Sequence, residues 1–306
     1  METVRVAAFR RAVGWLTPEQ LPMTAAESLA SGHDSPALRE LAGWSGREPA
    51  AELDGLWHRA LDELGAGRPD QEAAERWALR DVAARLDAGA LGSAREALAA
   101  VDGLDSAHGE REVRFRRAVA RGCCEDCLAD GGEASRRWDA EVRAAAAALV
   151  AEREQLRLLA LRYLADALPT AELPTAAAEL LAAGHDSPAL CDLAGRGRGE
   201  PASELEPLLR RALDDAGAPC PGRAEAERWL LHDLAAQAAD GRLTAVGFAA
   251  AVVHRELRGA DAAEEALLVL LGQYCPCCCP DRWSAKEFRT WESDVRAAAA
   301  LVGGRG

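Results

Sequence analysis

The chain has 306 residues, 49% hydrophobic and 28% charged, which is enough to bury a core and too apolar for a disordered protein. Its 36 basic and 50 acidic residues give a net charge of −14, and basic residues cluster only in pairs such as Arg10-Arg11 and Arg116-Arg117. A phosphate backbone is therefore repelled, and nucleic acid is excluded as a partner.

Membrane spanning is excluded as well. The best apolar run, Ala144 to Ala151, is stopped by Glu152 and Arg153. The segment Met1 to Trp15 is interrupted by Arg5, Arg10 and Arg11 and does not read as a signal peptide. The expected location is the cytoplasm, where thiols stay reduced. The chain contains no Ile, no Asn and one lysine, Lys286, a bias that fits a GC-rich coding sequence. Richness in Ala, Leu, Arg and Glu favours helix, and the Val and Thr residues form no alternating runs from which strands are built.

Taken in chain order, the pattern predicts helices near 3–14, 18–31, 36–42, 48–65, 70–88, 92–101, 109–123 and 133–152. Gly32, Gly43, Gly65 and Gly89 fall where a helix end takes a left-handed residue. Asp34 or Ser35 caps the third helix and Pro36 opens it. Pro69-Asp70 opens the fifth. In the fourth, Leu53, Leu56, Trp57, Ala60, Leu61 and Leu64 share one face. No Gly or Pro interrupts Leu149 to Leu168, so one helix is expected to run through this stretch and join what surrounds it into a packed unit.

The series then repeats. Gly32-His33-Asp34-Ser35-Pro36-Ala37-Leu38 recurs 152 residues later as Gly184-His185-Asp186-Ser187-Pro188-Ala189-Leu190. The same offset links Glu75-Arg76-Trp77 to Glu227-Arg228-Trp229, and Cys123 and Cys127 to Cys275 and Cys279. One inserted residue then pairs Trp138 with Trp291. The expected architecture is all-α, with two pseudo-symmetric tandem multi-helix modules packed together, 1–151 and 152–306. The run Gly32 to Gly43, with Leu56 to Gly65 and Glu75-Arg76-Trp77, resembles an uncharacterised helical module of high-GC bacteria. That resemblance implies a helical module and carries no activity.

The His-Asp-Ser sequence at 33–35 suggests a catalytic triad, but adjacent residues at a helix entry do not converge as a triad must. Capping accounts for Gly32, Ser35 and Pro36 and leaves His33 and His185 over. With Trp44 and Trp283, which have no tryptophan at the matched position, these histidines are the candidate ligand-binding residues. Trp15 also lacks a matched tryptophan, whereas Trp57, on the apolar face of the fourth helix, and the remaining tryptophans read as core whose indole N–H groups find local partners.

Seven of the nine cysteines fall in two matched clusters, Cys123-Cys124-Glu125-Asp126-Cys127 and Cys275-Pro276-Cys277-Cys278-Cys279. Three readings stay open: a zinc site of Cys123, Cys127, Cys275 and Cys279, a dithiol redox pair, and buried core filling. No catalytic constellation, HExxH pattern or phosphate loop is present in the sequence. The leading functional expectation is a non-enzymatic binding or adaptor protein for a protein partner, antitoxin-like or immunity-like. The alternatives are a cysteine-cluster zinc-binding or thiol-redox protein, and a small-molecule binder or enzyme using a cleft between the two copies with His33 and His185.

Overall fold

The computed structural model describes residues 2–122, 132–252, 255, 257–274 and 283–304, the side chains of Glu2 and Thr3 excepted. Among these residues there are fifteen α-helices and no strand. The helices are α1 (Glu2–Ala12), α2 (Leu21–Ala30), α3 (Pro36–Ala42), α4 (Ala50–Glu63), α5 (Gln71–Asp87), α6 (Ala94–Val101) and α7 (Glu110–Ala120). The long α8 (Glu133–Leu164) follows, then α9 (Leu173–Ala182), α10 (Pro188–Ala194), α11 (Ala202–Asp215), α12 (Arg223–Ala239), α13 (Ala245–Val252), α14 (Ala262–Gly272) and α15 (Ala285–Gly303). Short 3-10 turns, Pro18–Gln20 and Thr170–Glu172, precede α2 and α9. None of the helices is long and apolar enough to cross a membrane, among the described residues.

The helix boundaries follow local chemistry. Ser35 is extended and its hydroxyl accepts the Leu38 N–H at 3.1 Å, with Pro36 at the first helical position. Asp70 caps α5 by accepting the Ala73 N–H at 2.7 Å. Gly32, Gly65 and Gly89 are left-handed, with φ of +84°, +63° and +73°. Gly43 departs from the expectation. Its φ is −82°, and its N–H turns back to the Glu40 carbonyl at 3.1 Å, so the helix ends in a right-handed turn that needs no glycine. The stretch expected to be helical across 149–168 is helical as far as Leu164.

The molecule divides into two compact units. The first comprises Met1–Gln155 with the short segments Leu180–Pro188 and Leu213–Pro219. It holds two apolar clusters. One is built from α1 to α4, where Val4, Leu21, Leu38, Leu53, Trp57 and Leu61 are buried. The other lies among α5, α6, α7 and α8 around Leu79, Leu86, Phe115, Val142 and Leu149. Trp57 departs from the expected partner rule: its Nε1 is buried with no hydrogen bond among the described residues, so apolar contact alone holds it there.

The second unit comprises Leu156–Glu179, Ala189–Ala212 and Cys220–Gly306. Its main core joins α12, α13, α14 and α15 around Phe248, Leu267, Leu271, Trp291 and Val295. A smaller cluster sets Leu161 and Ala165 against Ala226 and Leu230. The helices α12 and α15 approach closely. A methyl group on Gly303 would lie 2.6 Å from the Ala236 nitrogen, so only glycine fits at that crossing.

Candidate functional site

In the first unit the strongest concentration of buried charge centres on Glu112, in the first turn of α7, whose carboxylate is 1% exposed. Arg76 and Arg80 reach it from successive turns of α5. Arg76 donates from Nε to Oε2 at 3.0 Å, and Arg80 from Nε to Oε1 at 2.6 Å. The His108 N–H donates to Oε2 at 2.9 Å, which ties down the loop entering α7. Burial pushes the Glu112 pKa up, but the two guanidiniums and the amide outweigh it, and the group lies below the ordinary carboxylate range. The arginines pass the network on: Arg80 donates to the Ala216 carbonyl and Arg76 to the Asp215 carbonyl at 3.3 Å. Beside them Glu75 is held at about 2 by hydrogen bonds from Gln71 and from the N–H groups of Ser106 and Asp105.

A second buried group adjoins this one. His185 is 5% exposed, with Nε2 2.7 Å from Gln155 Oε1 and Nδ1 4.0 Å from Glu152 Oε1. Arg111 donates to the Ala183 carbonyl at 2.8 Å, holding the loop that carries the histidine. Burial, with the positive charges of Arg111 and Arg80, drives the His185 pKa down to about 4. Burial also raises Glu152, against the pull of Arg80 and Arg111. His185 is thus neutral in the fold. As pH falls below the ordinary value of 6.5, the unfolded chain takes up a proton that the fold refuses until about pH 4. Acidification across that window should cost the wild type about 2–3 kcal/mol more than His185→Gln. Urea denaturation of both proteins at intervals between pH 7.5 and pH 4 measures this. Parallel pH profiles would mean that His185 protonates in the native state.

The second unit repeats the carboxylate arrangement at residues 152 positions further on. Glu264, 1% exposed in the first turn of α14, accepts from Arg228 Nε at 2.8 Å and from the Ala260 N–H at 2.6 Å. His232 Nε2 stands 2.8 Å from its Oε1, in the position Arg80 takes in the first unit. Again burial raises the group, and His232, the amide and Arg228 together bring it below its ordinary value. The other end of each helix is held by an indole. Trp138 Nε1 donates to the Ala118 carbonyl in the last turn of α7, and Trp291 Nε1 to the Leu270 carbonyl in the last turn of α14, both at 2.8 Å.

The second unit also carries a half-open pocket of about 310 Å³ at the end of α8, lined by Tyr163, Asp166, Thr170, Ala202, Glu206 and Arg223 among others. The Tyr163 hydroxyl donates to Glu206 Oε1 at 3.3 Å. Burial, opposed by a hydrogen bond from Thr170 and reinforced by Glu206, raises the phenol and keeps it protonated. Asp166 is left-handed at φ +54°, a conformation that costs a non-glycine residue about 1 kcal/mol. Arg223 pairs with its carboxylate at 2.7 Å, and Arg255 donates to its carbonyl at 3.2 Å.

The residues singled out in the sequence are distributed as follows. His33 is half-buried, with Nδ1 3.3 Å from the Ser28 carbonyl, whereas His185, at the matched position, is enclosed by Glu152 and Gln155. Trp44 is half-buried against the α1–α4 core. Trp283 meets Tyr274 and Trp291 edge-on, at centroid distances of 5.6 and 5.8 Å. Cys123, Cys127, Cys275 and Cys279 lie outside the described residues, and among the described residues no group of His, Cys, Asp or Glu is arranged to hold a metal ion. Cys191 and Cys220 are free thiols. The sequence reading missed Glu112, Glu264 and the Tyr163 pocket. The available signal was the recurrence of Arg76 and Glu112 as Arg228 and Glu264 at the repeat offset. Comparison of the chain with family models, curated proteins and solved structures finds no match.

Proposed function

We propose that the chain is a non-enzymatic binding protein built from two copies of one helical module, serving a basic protein partner as an adaptor or as an antitoxin-like or immunity-like factor. The duplication is supported by helix bounds that recur 152 residues apart, such as Leu21–Ala30 with Leu173–Ala182 and Gln71–Asp87 with Arg223–Ala239. It is supported further by the paired Glu112 and Glu264 clamps.

The observation that carries the functional reading is what three of the four buried carboxylates among the described residues do, Glu152 being raised by burial. Glu75, Glu112 and Glu264 bind loop N–H groups and polar side chains of their own unit, and their pKa values are depressed. A general acid or base needs a pKa near working pH, whereas a permanently charged, fully hydrogen-bonded carboxylate stiffens a scaffold. The surplus of acidic side chains is thereby left to the surface, where a charge of −14 steers basic partners.

The test is affinity capture from native extract with the full chain immobilised, followed by salt elution. The expected result is a basic protein that is retained at low ionic strength, elutes as salt screens the interface, and binds again when purified. Recovery of a small molecule with no protein partner would overturn the reading.

A further inference from the structure

The two copies differ at one place where the difference has a direct chemical meaning. In the first unit Arg11, near the end of α1, forms a two-pronged ion pair with Asp54 of α4: Nε to Oδ1 at 2.7 Å and Nη2 to Oδ2 at 2.8 Å. The residues 152 positions on are Tyr163 and Glu206. The carboxylate is kept and the guanidinium is gone. Tyr163 offers Glu206 one neutral hydrogen bond, and Glu206 has no cationic partner among the described residues. The pocket of about 310 Å³ lies at this position.

The neighbouring changes act in the same direction. Gly14, at φ +78° in the first copy, is matched by Asp166, at φ +54° in the second. This adds a second carboxylate to the rim, paired with Arg223, itself 65% exposed and matched by Gln71 in the first copy. An exposed pair of this kind is weak and exchanges partners readily. The pocket is therefore lined by the largely buried Tyr163 and by two carboxylates, a combination suited to a planar cation that takes a forked pair of hydrogen bonds.

We propose that the pocket bounded by Tyr163, Glu206 and Asp166 is a binding site for a small molecule bearing a guanidinium group, which occupies there the position that Arg11 fills from within the chain in the other copy. The inference uses the residue correspondence of the duplication and is separate from the protein-partner reading. A chain that binds no basic protein still has this site.

The test is isothermal titration of the full chain with agmatine, at constant ionic strength to remove diffuse attraction to the acidic surface. The wild type should bind one equivalent saturably, with a Kd of about 1 mM or tighter. Glu206→Gln removes the charge that the guanidinium needs and should weaken binding at least about tenfold. Tyr163→Arg supplies the internal guanidinium, re-creates the Arg11–Asp54 arrangement and should abolish binding while the chain still melts cooperatively. The proposal is overturned if the wild type shows no saturable heat, or if Glu206→Gln binds agmatine as tightly as the wild type. If Tyr163→Arg does not fold, the Glu206→Gln comparison decides the matter alone.

Discussion

Glu112→Ala is expected to destabilise the first unit by about 3–5 kcal/mol, the cost of removing one partner from a buried ion pair and stranding the other. Arg80, 7% exposed, then loses its ion-pair partner, and the His108 N–H loses its acceptor. Arg76, 19% exposed, can partly turn to water and limits the damage. The effect should also be local. Arg80 is aligned by Glu112 as it donates to the Ala216 carbonyl, so amide exchange in Leu213–Pro219 should accelerate more than in the α1–α4 core. The double substitution Glu112→Leu/Arg80→Met removes both buried charges and should recover at least half of the loss in urea denaturation. If it recovers nothing, the carboxylate acts mainly through the His108 loop and not through charge pairing.

The structure also shows which parts of this fold were legible in the sequence. Helix ends were, because their determinants are local. Ser35, Pro36 and Asp70 act within three residues of themselves, and their caps form as expected. The buried face of α4 was legible too, since Leu53, Leu56, Trp57, Ala60 and Leu61 recur at the helical period. Glu112 was not. A glutamate in a first turn reads as a favourable charge at the positive end of the helix dipole, and nothing nearby indicates that α5 will bring two arginines onto it. His185 and His33 share a motif and differ in burial because the surroundings of His185 come from α8, about 30 residues away along the chain. The pocket at Tyr163 was visible only as a Tyr standing 152 residues beyond Arg11, at the offset that links the recurring motifs. That difference carries meaning once Asp54 is seen to grip Arg11 with both oxygens.

Trp291→Ala is expected to cost the second unit about 3–5 kcal/mol, the range for emptying a buried tryptophan site. Trp291 is 4% exposed and is the hub of an aromatic group. It stacks on Tyr274 at 4.6 Å and 22°, and lies 5.8 Å from both Trp283 and Phe288. Trp291→Phe keeps most of this packing and gives up the indole hydrogen bond. The Leu270 carbonyl still accepts from the Gln273 N–H at 3.2 Å, so that substitution should cost only about 1 kcal/mol beyond the lost ring area. Near-UV circular dichroism should lose intensity in the alanine variant and retain it in the phenylalanine variant, while urea midpoints give the energies. Glu264→Ala tests the opposite end of the same helix, because Glu264 sits in the first turn of α14 and Leu270 in its last. At a rise of about 1.5 Å per residue the two anchors lie roughly 9 Å apart, near the distance at which independent sites add. Additive losses would mean that α14 is pinned separately at each end. A double variant no worse than the poorer single one would mean that releasing either end already frees the helix, making each clamp effective only while the other holds.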